Sequence, residues 1–383
     1  MKFRLTICVG LLLVAAVAAC DIGVKLVGPA AENCGSGPLF TAMPVALTDI
    51  NSISVFGGLD APGHTLPTAH SGIFLRTEGA TVLAPANMQI TKVRRTTYVT
   101  SPNRQGKTDY SVQFNVCKQI SGHFGHLTTL SSSIPIASSK WKECETYSTA
   151  IETIENCEAS LEKMTLTAGQ PVGTSGLSIA LGLMSVDIGL YDSRVSNAYI
   201  ARWRHPQPTF TAVCAWDKFE PGFRDALYSK LRDQSRPIAV PGGEPRCGTM
   251  VIDVAGTAKG VWALPSETSP LQGNETGYVA LANYPYRPED ELALSIGPSS
   301  LGGGRPVVRR ANSGRVNRAF EQVTNDGLIY CYGPDVNSPG WYWFLQLTGP
   351  NSLSMRNVRG SAVDLCQTPT ATWTMTGATT LVR

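Results

Sequence analysis

From about residue 46 to the C-terminus, short runs rich in Val, Ile, Thr, Tyr and Trp alternate with turn residues, and this punctuation limits the fold more than any other feature. β-Branched and aromatic side chains suit a pleated, half-buried surface, and Gly and Pro end such runs. With 37 Gly and 25 Pro in 383 residues there are turns enough for many short strands, so the chain is read as mainly β. Strands are expected near 73–75, 82–83, 90–93, 98–100, 110–116, 123–130 and 186–191, and later near 249–254, 278–283, 292–296, 328–332, 341–347 and 373–375. Only 140–163 breaks the pattern. Its Glu143, Glu145, Glu152, Glu155, Glu158 and Glu162 read as the solvated face of a helical insertion. Cys144 and Cys157 both lie in it. On one continuous helix they would be about 20 Å apart at 1.5 Å per residue, beyond the roughly 7 Å a disulfide spans. If they pair, the segment must fold back near 147–149.

The first residues bear on where this β-structure forms. Lys2 and Arg4 precede an apolar run from Leu5 to Ala19. A membrane-spanning helix needs about 20 apolar residues, so the run reads as a signal-peptide core. It ends in Val17-Ala18-Ala19-Cys20, which resembles the lipobox of bacterial lipoproteins. That resemblance implies cleavage before Cys20 and lipid on its sulfur, placing the protein on the outer face of a bacterial membrane, in the periplasm or at the cell surface. Of the 10 cysteines, Cys8 leaves with the signal and Cys20 is acylated, which leaves eight. An even number at wide spacing, with no CxxC pair, suits a disulfide framework and argues against a thiolate zinc site.

The expected organisation is a signal over 1–19, a tether over 20–45, a first domain over 46–239 and a β-rich domain over 240–383. Pro237, Pro241, Gly242 and Gly243 mark the last boundary. Charged residues make up 16% and the net charge is +3, so no nucleic-acid partner is expected. The basic groups at 92–95 and 305–310 read as strand ends. Trp341-Tyr342-Trp343-Phe344, with Trp262 and Trp373, could stack on sugars, but alternation along strands favours a core role.

Four of the five histidines, His64, His70, His123 and His126, fall in one stretch of the first domain. Histidine is both the commonest metal ligand and the proton carrier of neutral pH. His123 and His126, three apart in an extended segment, should face opposite sides of a strand and not share one metal.

Several motifs around them resemble the M23, or LytM-like, zinc peptidases that cut peptide cross-links of peptidoglycan. His70-Ser71-Gly72 resembles the start of the family's His-x-Gly-x-Asp motif, and Val82-Leu83-Ala84-Pro85 its following strand. Phe124-Gly125-His126-Leu127 resembles its Tyr-x-His-Leu strand, and 169–176, Gly-Gln-Pro-Val-Gly-Thr-Ser-Gly, its glycine turn. The resemblance covers about residues 55–195 and implies a LytM-like β-sheet. It also departs from the family where the metal would be held. The aspartate ligand falls on Phe74, and the His-x-His strand falls on Ser185-Val186-Asp187. His70 is then the one ligand kept, with His126 as a proton carrier if the protein is active.

The leading expectation is a binding or regulatory lipoprotein of the cell wall with a degenerate LytM-like domain, taking peptidoglycan or a cell-wall enzyme as partner and no cofactor. The alternative is an active zinc metallopeptidase rebuilt on His64, His70 and Asp187, a His₂-carboxylate set. A third reading is a carbohydrate-capture lipoprotein acting through its C-terminal domain. The anchor is testable by itself. Replacing Cys20→Ser should leave the chain unlipidated and move it from the membrane fraction to the soluble one; retention after a high-salt wash would contradict the lipobox reading.

Overall fold

A computed structural model describes residues 32–61, 63–102, 104–148, 153–178, 183–233, 246–271, 274–337, 340–360 and 363–383. The signal, Cys20, the first part of the tether and the Pro/Gly stretch at 237–243 lie outside the described residues. The chain is mainly β, as its punctuation predicts.

The first sheet uses β1 (Ile50–Ile53), β2 (Ser71–Leu75), β3 (Thr81–Leu83), β4 (Met88–Thr100), β5 (Thr108–Asn115), β6 (Ile120–Leu130), β7 (Lys142–Ser148), β8 (Thr153–Leu166), β9 (Pro171–Ser178), β10 (Leu183–Asp192) and β11 (Ala212–Val213). Its order is β1-β2-β10-β9-β6-β5-β4-β8-β7, with β11 on β10, β3 on β9, and a further pairing of β10 with β6. The core face is built by alternation: Val186, Ile188 and Leu190 of β10 are buried, as are Val112 and Phe114 of β5. The intervening Asp187, Gly189 and Tyr191 are left for the other face.

Three expectations are corrected. Among the described residues of 140–163 there is no α-helix. Residues 142–148 and 153–163 instead pair antiparallel as β7 and β8, joined by a Cys144–Cys157 disulfide with 4.0 Å between α-carbons. Two of the glutamates that suggested a solvated helix, Glu155 and Glu158, instead answer cations on the neighbouring strand. Lys92 Nζ donates to Glu158 Oε2 at 2.6 Å, Arg94 pairs with Glu158 Oε1 at 2.7 Å, and Arg95 lies 3.6 Å from Glu155. Cross-strand partners override local propensity here, and the basic group 92–95 is consumed by them. Among the described residues the α-helix is a short one elsewhere, α1 (Pro221–Tyr228). Second, 90–93 and 98–100 belong to one long strand, β4. Third, the described part of the tether is packed. Phe40 is fully buried with its ring 4.8 Å from that of Phe219, and Cys34 is bonded to Cys117.

The second sheet takes β12 (Gly260–Ala263), β13 (Tyr278–Asn283), β14 (Glu291–Ile296), β15 (Val307–Arg309), β16 (Tyr330–Tyr332), β17 (Trp341–Gly349), β18 (Ser352–Arg359) and β19 (Thr379–Val382). The order is β15-β14-β13-β12-β19-β18-β17-β16, so the last strand is inserted in mid-sheet. Residues 249–254 and 373–375 form no strand. In the former, side chains replace the ladder: Thr249 Oγ1 accepts the Val251 N–H and Asp253 Oδ1 accepts the Val261 N–H.

Both faces of β13 are covered. Val279 and Leu281 join Trp262, Phe320 and Trp343 in one core, while Tyr278, Ala280 and Ala282 join the core of the first sheet. The alanines at 280 and 282 let the two sheets approach closely there. Tyr342, Phe344 and Trp373 pack around the Cys331–Cys366 bridge. The aromatic cluster is therefore core, and Cys214–Cys247 ties the two halves of the chain.

All eight cysteines of the framework are paired, so the folded protein should show no reactive thiol among them. Loop length orders their effects, since a bridge restricts the unfolded chain more when it closes a longer loop. Replacing both Cys34 and Cys117 by Ser, a separation of 83, should cost about 4.5 kcal/mol in urea unfolding. The same change at Cys144 and Cys157, a separation of 13, should cost about 3 kcal/mol. The reverse order would show that native packing outweighs loop entropy.

Candidate histidine–carboxylate site

The site is made by one extra residue in β6. Up to Phe124 its even-numbered residues face the core: Ile120, Gly122 and Phe124 are buried. His126 then takes a positive φ of 61°, and the next core residue is Leu127, three beyond Phe124. The partner strand registers the same event, pairing Val112 with Phe124 but Tyr110 with Leu127. This is a β-bulge, which reverses alternation. His123 and His126 thus come to one face, correcting the expectation that they part. At the same point β6 exchanges β10 for β9 as neighbour, pairing Asp187 with Gly125 before the bulge and Leu127 with Ser175 after it.

Into this junction four separate segments send polar side chains. His70, just before β2, places Nε2 3.4 Å from Asp187 Oδ2. His126 places Nε2 3.2 Å from the same oxygen, and its Nδ1 is 2.8 Å from Asp109 Oδ2 on β5. The His123 ring lies 6.0 Å from that of His70, with Nδ1 3.1 Å from the Tyr191 hydroxyl. His64 stands at the exposed rim, its ring edge-on to His70 at 5.4 Å. Glycine makes the room. A Cβ on Gly189 would stand 2.2 Å from the His123 ring, and one on Gly125 would meet the Asp187 side chain at 3.4 Å. Phe74 folds over Gly72, the residue opposite Asp187 in β2, its ring 3.3 Å from where a Gly72 Cβ would stand.

Asp109 and Tyr191 did not stand out in the sequence. Tyr191 was legible in principle, because Asp187, Gly189 and Tyr191 alternate on one face of β10. Asp109 required the register of β5 on β6. In the glycine turn, Gly169 has a φ of +83°, and a Cβ on Gly173 would stand 2.2 Å from the Thr129 carbonyl oxygen, so both positions need glycine for backbone reasons.

Burial pushes the His123 imidazole down to about 4. Burial would also lower His126, but the charge of Asp187 and hydrogen bonds to Asp109 and Asp187 outweigh it and push His126 up to about 11. Burial alone would raise Asp187, yet His70 and His126 hold it well below the ordinary carboxylate range. At neutral pH the site is an imidazolium, His126, clamped between two carboxylates, with neutral His123 behind it.

A hydrolytic zinc needs three protein ligands with bonds of about 2.0–2.2 Å, which sets neighbouring ligand atoms roughly 3.3 Å apart. His70 and Asp187 meet that spacing. The full set does not fit. His126 lies against the same Asp187 oxygen as His70, and His64, His70 and Asp187 do not form a group with every ligand atom within 4.8 Å of the others. Among the described residues such a group exists only at Cys214, Asp217 and Cys247, where both sulfurs are in a disulfide. Comparison of the chain with models of known protein families and with curated proteins found no match.

The two histidines should titrate in opposite senses. His126 favours folding fully below its ordinary value of about 6.5 and loses that contribution as pH rises toward about 11. His123, buried neutral, withdraws stability as pH falls from 6.5 toward about 4. In metal-free protein, imidazole NMR should show His126 protonated at pH 8 and His123 neutral at pH 5.5. Asp187→Asn should bring His126 down toward neutrality. Deprotonated His126 at pH 8 in the wild type would contradict the clamp.

Proposed function

We propose that the chain is a membrane-anchored lipoprotein of the cell envelope whose first domain is a degenerate LytM-like fold that binds peptidoglycan peptide without cutting it. The observation that carries this reading is the convergence of His70, His126 and Asp187 from separate segments onto one sheet face, the residues on which the family motifs fall. The argument against hydrolysis is chemical. Phe74 replaces a ligand, and Asp187 is committed to His126, so no metal-bound water is generated. What remains is a cleft with imidazole edges at its mouth, His70 and His126 having side-chain exposures of 24% and 35%. Imidazole N–H groups and an imidazolium suit the amides and carboxylates of a wall peptide. Among the described residues no helix is long and apolar enough to cross a membrane; the proposed attachment, through lipid on Cys20, rests on the lipobox resemblance.

The 3.4 Å spacing of His70 and Asp187 favours a second reading, a zinc peptidase whose His126 moves aside when metal binds. For the carbohydrate reading through the C-terminal aromatics, Trp262, Tyr342, Trp343, Phe344 and Trp373 are buried and Trp341 is half-buried, which leaves little exposed ring surface there.

Full-length protein should co-sediment with purified peptidoglycan and release no fragments, with or without added zinc. His70→Ala and Asp187→Asn should each weaken sedimentation by roughly tenfold, the effect of one lost charge-assisted contact. Stoichiometric zinc, with hydrolysis lost in both variants, would replace this reading by the peptidase one. Undiminished binding in both variants would remove the cleft from the function.

A further inference from the structure

Where the two sheets meet, loop residues of the first domain face Pro270 and Leu271 of the second across an open cavity of about 700 Å³. That volume is within the range of small-molecule sites, about 300–1,000 Å³. The first-domain wall consists of two 3-10 turns, Arg202–Arg204 and Gln207–Phe210. Trp203 is 50% exposed, the one exposed indole among the chain's seven tryptophans. The Arg204 guanidinium covers one face of its ring at 4.2 Å, itself held by the Glu267 carbonyl. Among the described residues no aromatic ring stacks on the indole, which is half exposed and lines the cavity. Beside it Arg202 lies flat on Phe210 at 3.6 Å and donates one long hydrogen bond, 3.4 Å, to the Asn197 carbonyl. Among the described residues no carboxylate pairs with Arg202, and no acidic side chain lines the cavity. His205, also in the lining, is buried, and its Nε2 has no hydrogen-bond partner among the described residues.

We propose that this cavity binds an acidic pyranose, a uronic-acid unit of a glycan, with the sugar ring stacked on Trp203 and its carboxylate on Arg202. A planar indole backed on one side matches the C–H face of a pyranose. A stacked guanidinium with unused N–H groups matches a carboxylate in two-point fashion. Gln207 adds an amide for hydroxyl groups. A peptide is the poorer match, because 3-10 turns offer no strand edge for main-chain pairing and no long groove for a helix. The site shares no residue with the histidine cleft, so its existence does not depend on the role proposed there.

The test uses full-length protein and two probes: a tetrasaccharide of alternating glucuronic acid and N-acetylglucosamine, and the neutral N-acetylglucosamine tetramer. Tryptophan fluorescence reports selectively, since Trp203 is the exposed indole. The acidic tetrasaccharide should shift the emission and bind roughly tenfold more tightly than the neutral one, the size of a single charge-assisted contact. Trp203→Ala should weaken acidic binding roughly tenfold by calorimetry, while Trp203→Phe keeps most of it. Arg202→Gln should abolish the preference for the acidic probe and leave neutral binding intact. His70→Ala should leave all of this unchanged. Because Trp203 is exposed, these variants should keep the wild-type melting temperature, and perturbation of the Trp203 indole N–H in wild-type NMR spectra provides a readout without mutation. Equal affinity for the two tetrasaccharides, no binding of the acidic one at millimolar concentration, or binding indifferent to both Trp203→Ala and Arg202→Gln would overturn the proposal.

Discussion

The bulge at His126 is the constraint on which the rest of the site depends. A regular strand would send His123 and His126 to opposite faces, burying one imidazole in an apolar core and exposing the other. With one extra residue, Phe124 and Leu127 both stay in the core, and both histidines reach Asp187's side of the sheet. A left-handed backbone conformation at a non-glycine residue is disfavoured and persists where surrounding contacts impose it. Here they do: the His126 ring is bonded on one side to Asp109 and on the other to Asp187. The bulge also lies where β6 passes from β10 to β9, so the sheet divides around the polar cluster, and side chains from several strands enter the opening without crossing the core.

Charge inside the opening is balanced locally. Asp187 is costly to bury alone, and an imidazolium between two carboxylates offsets that cost, since pairing and hydrogen bonding compensate a buried charge. The same balance uses up the carboxylate oxygen that a metal would take. A structural clamp and a three-ligand zinc compete for the same atoms, and with Phe74 over Gly72 the clamp has the better geometry. The interior histidine, His123, is neutral for a different reason: it is enclosed, and its partner is the uncharged Tyr191 hydroxyl.

The two sheets are joined by a core rather than by a linker alone. β13 buries both faces, Tyr278, Ala280 and Ala282 toward the first sheet and Val279 and Leu281 toward the second core. Cys214–Cys247 and the contact of Glu275 Oε2 with the Leu66 N–H, 2.7 Å, cross the same seam. That contact holds the loop following His64, so the segment before β13 braces an approach to the histidine site as well as forming one wall of the cavity at Trp203.

The sequence by itself determined the strand-rich class, most of the central strands, the full pairing of eight cysteines and the core role of the C-terminal aromatics, because these follow from composition, parity and period-2 alternation. It also pointed to His70, His126 and Asp187 as residues of one site. It failed at 140–163, where Glu155 and Glu158 proved to be strand residues whose partners, Lys92, Arg94 and Arg95, lie more than fifty positions away. It failed again at His123, because a bulge is one residue's backbone conformation, set by the partners of His126, and leaves no periodic trace. Asp109 and the seam around Trp203 were likewise decided only by tertiary structure. Their roles come from register between strands and from packing of one sheet on another, contacts between distant positions that no local pattern encodes.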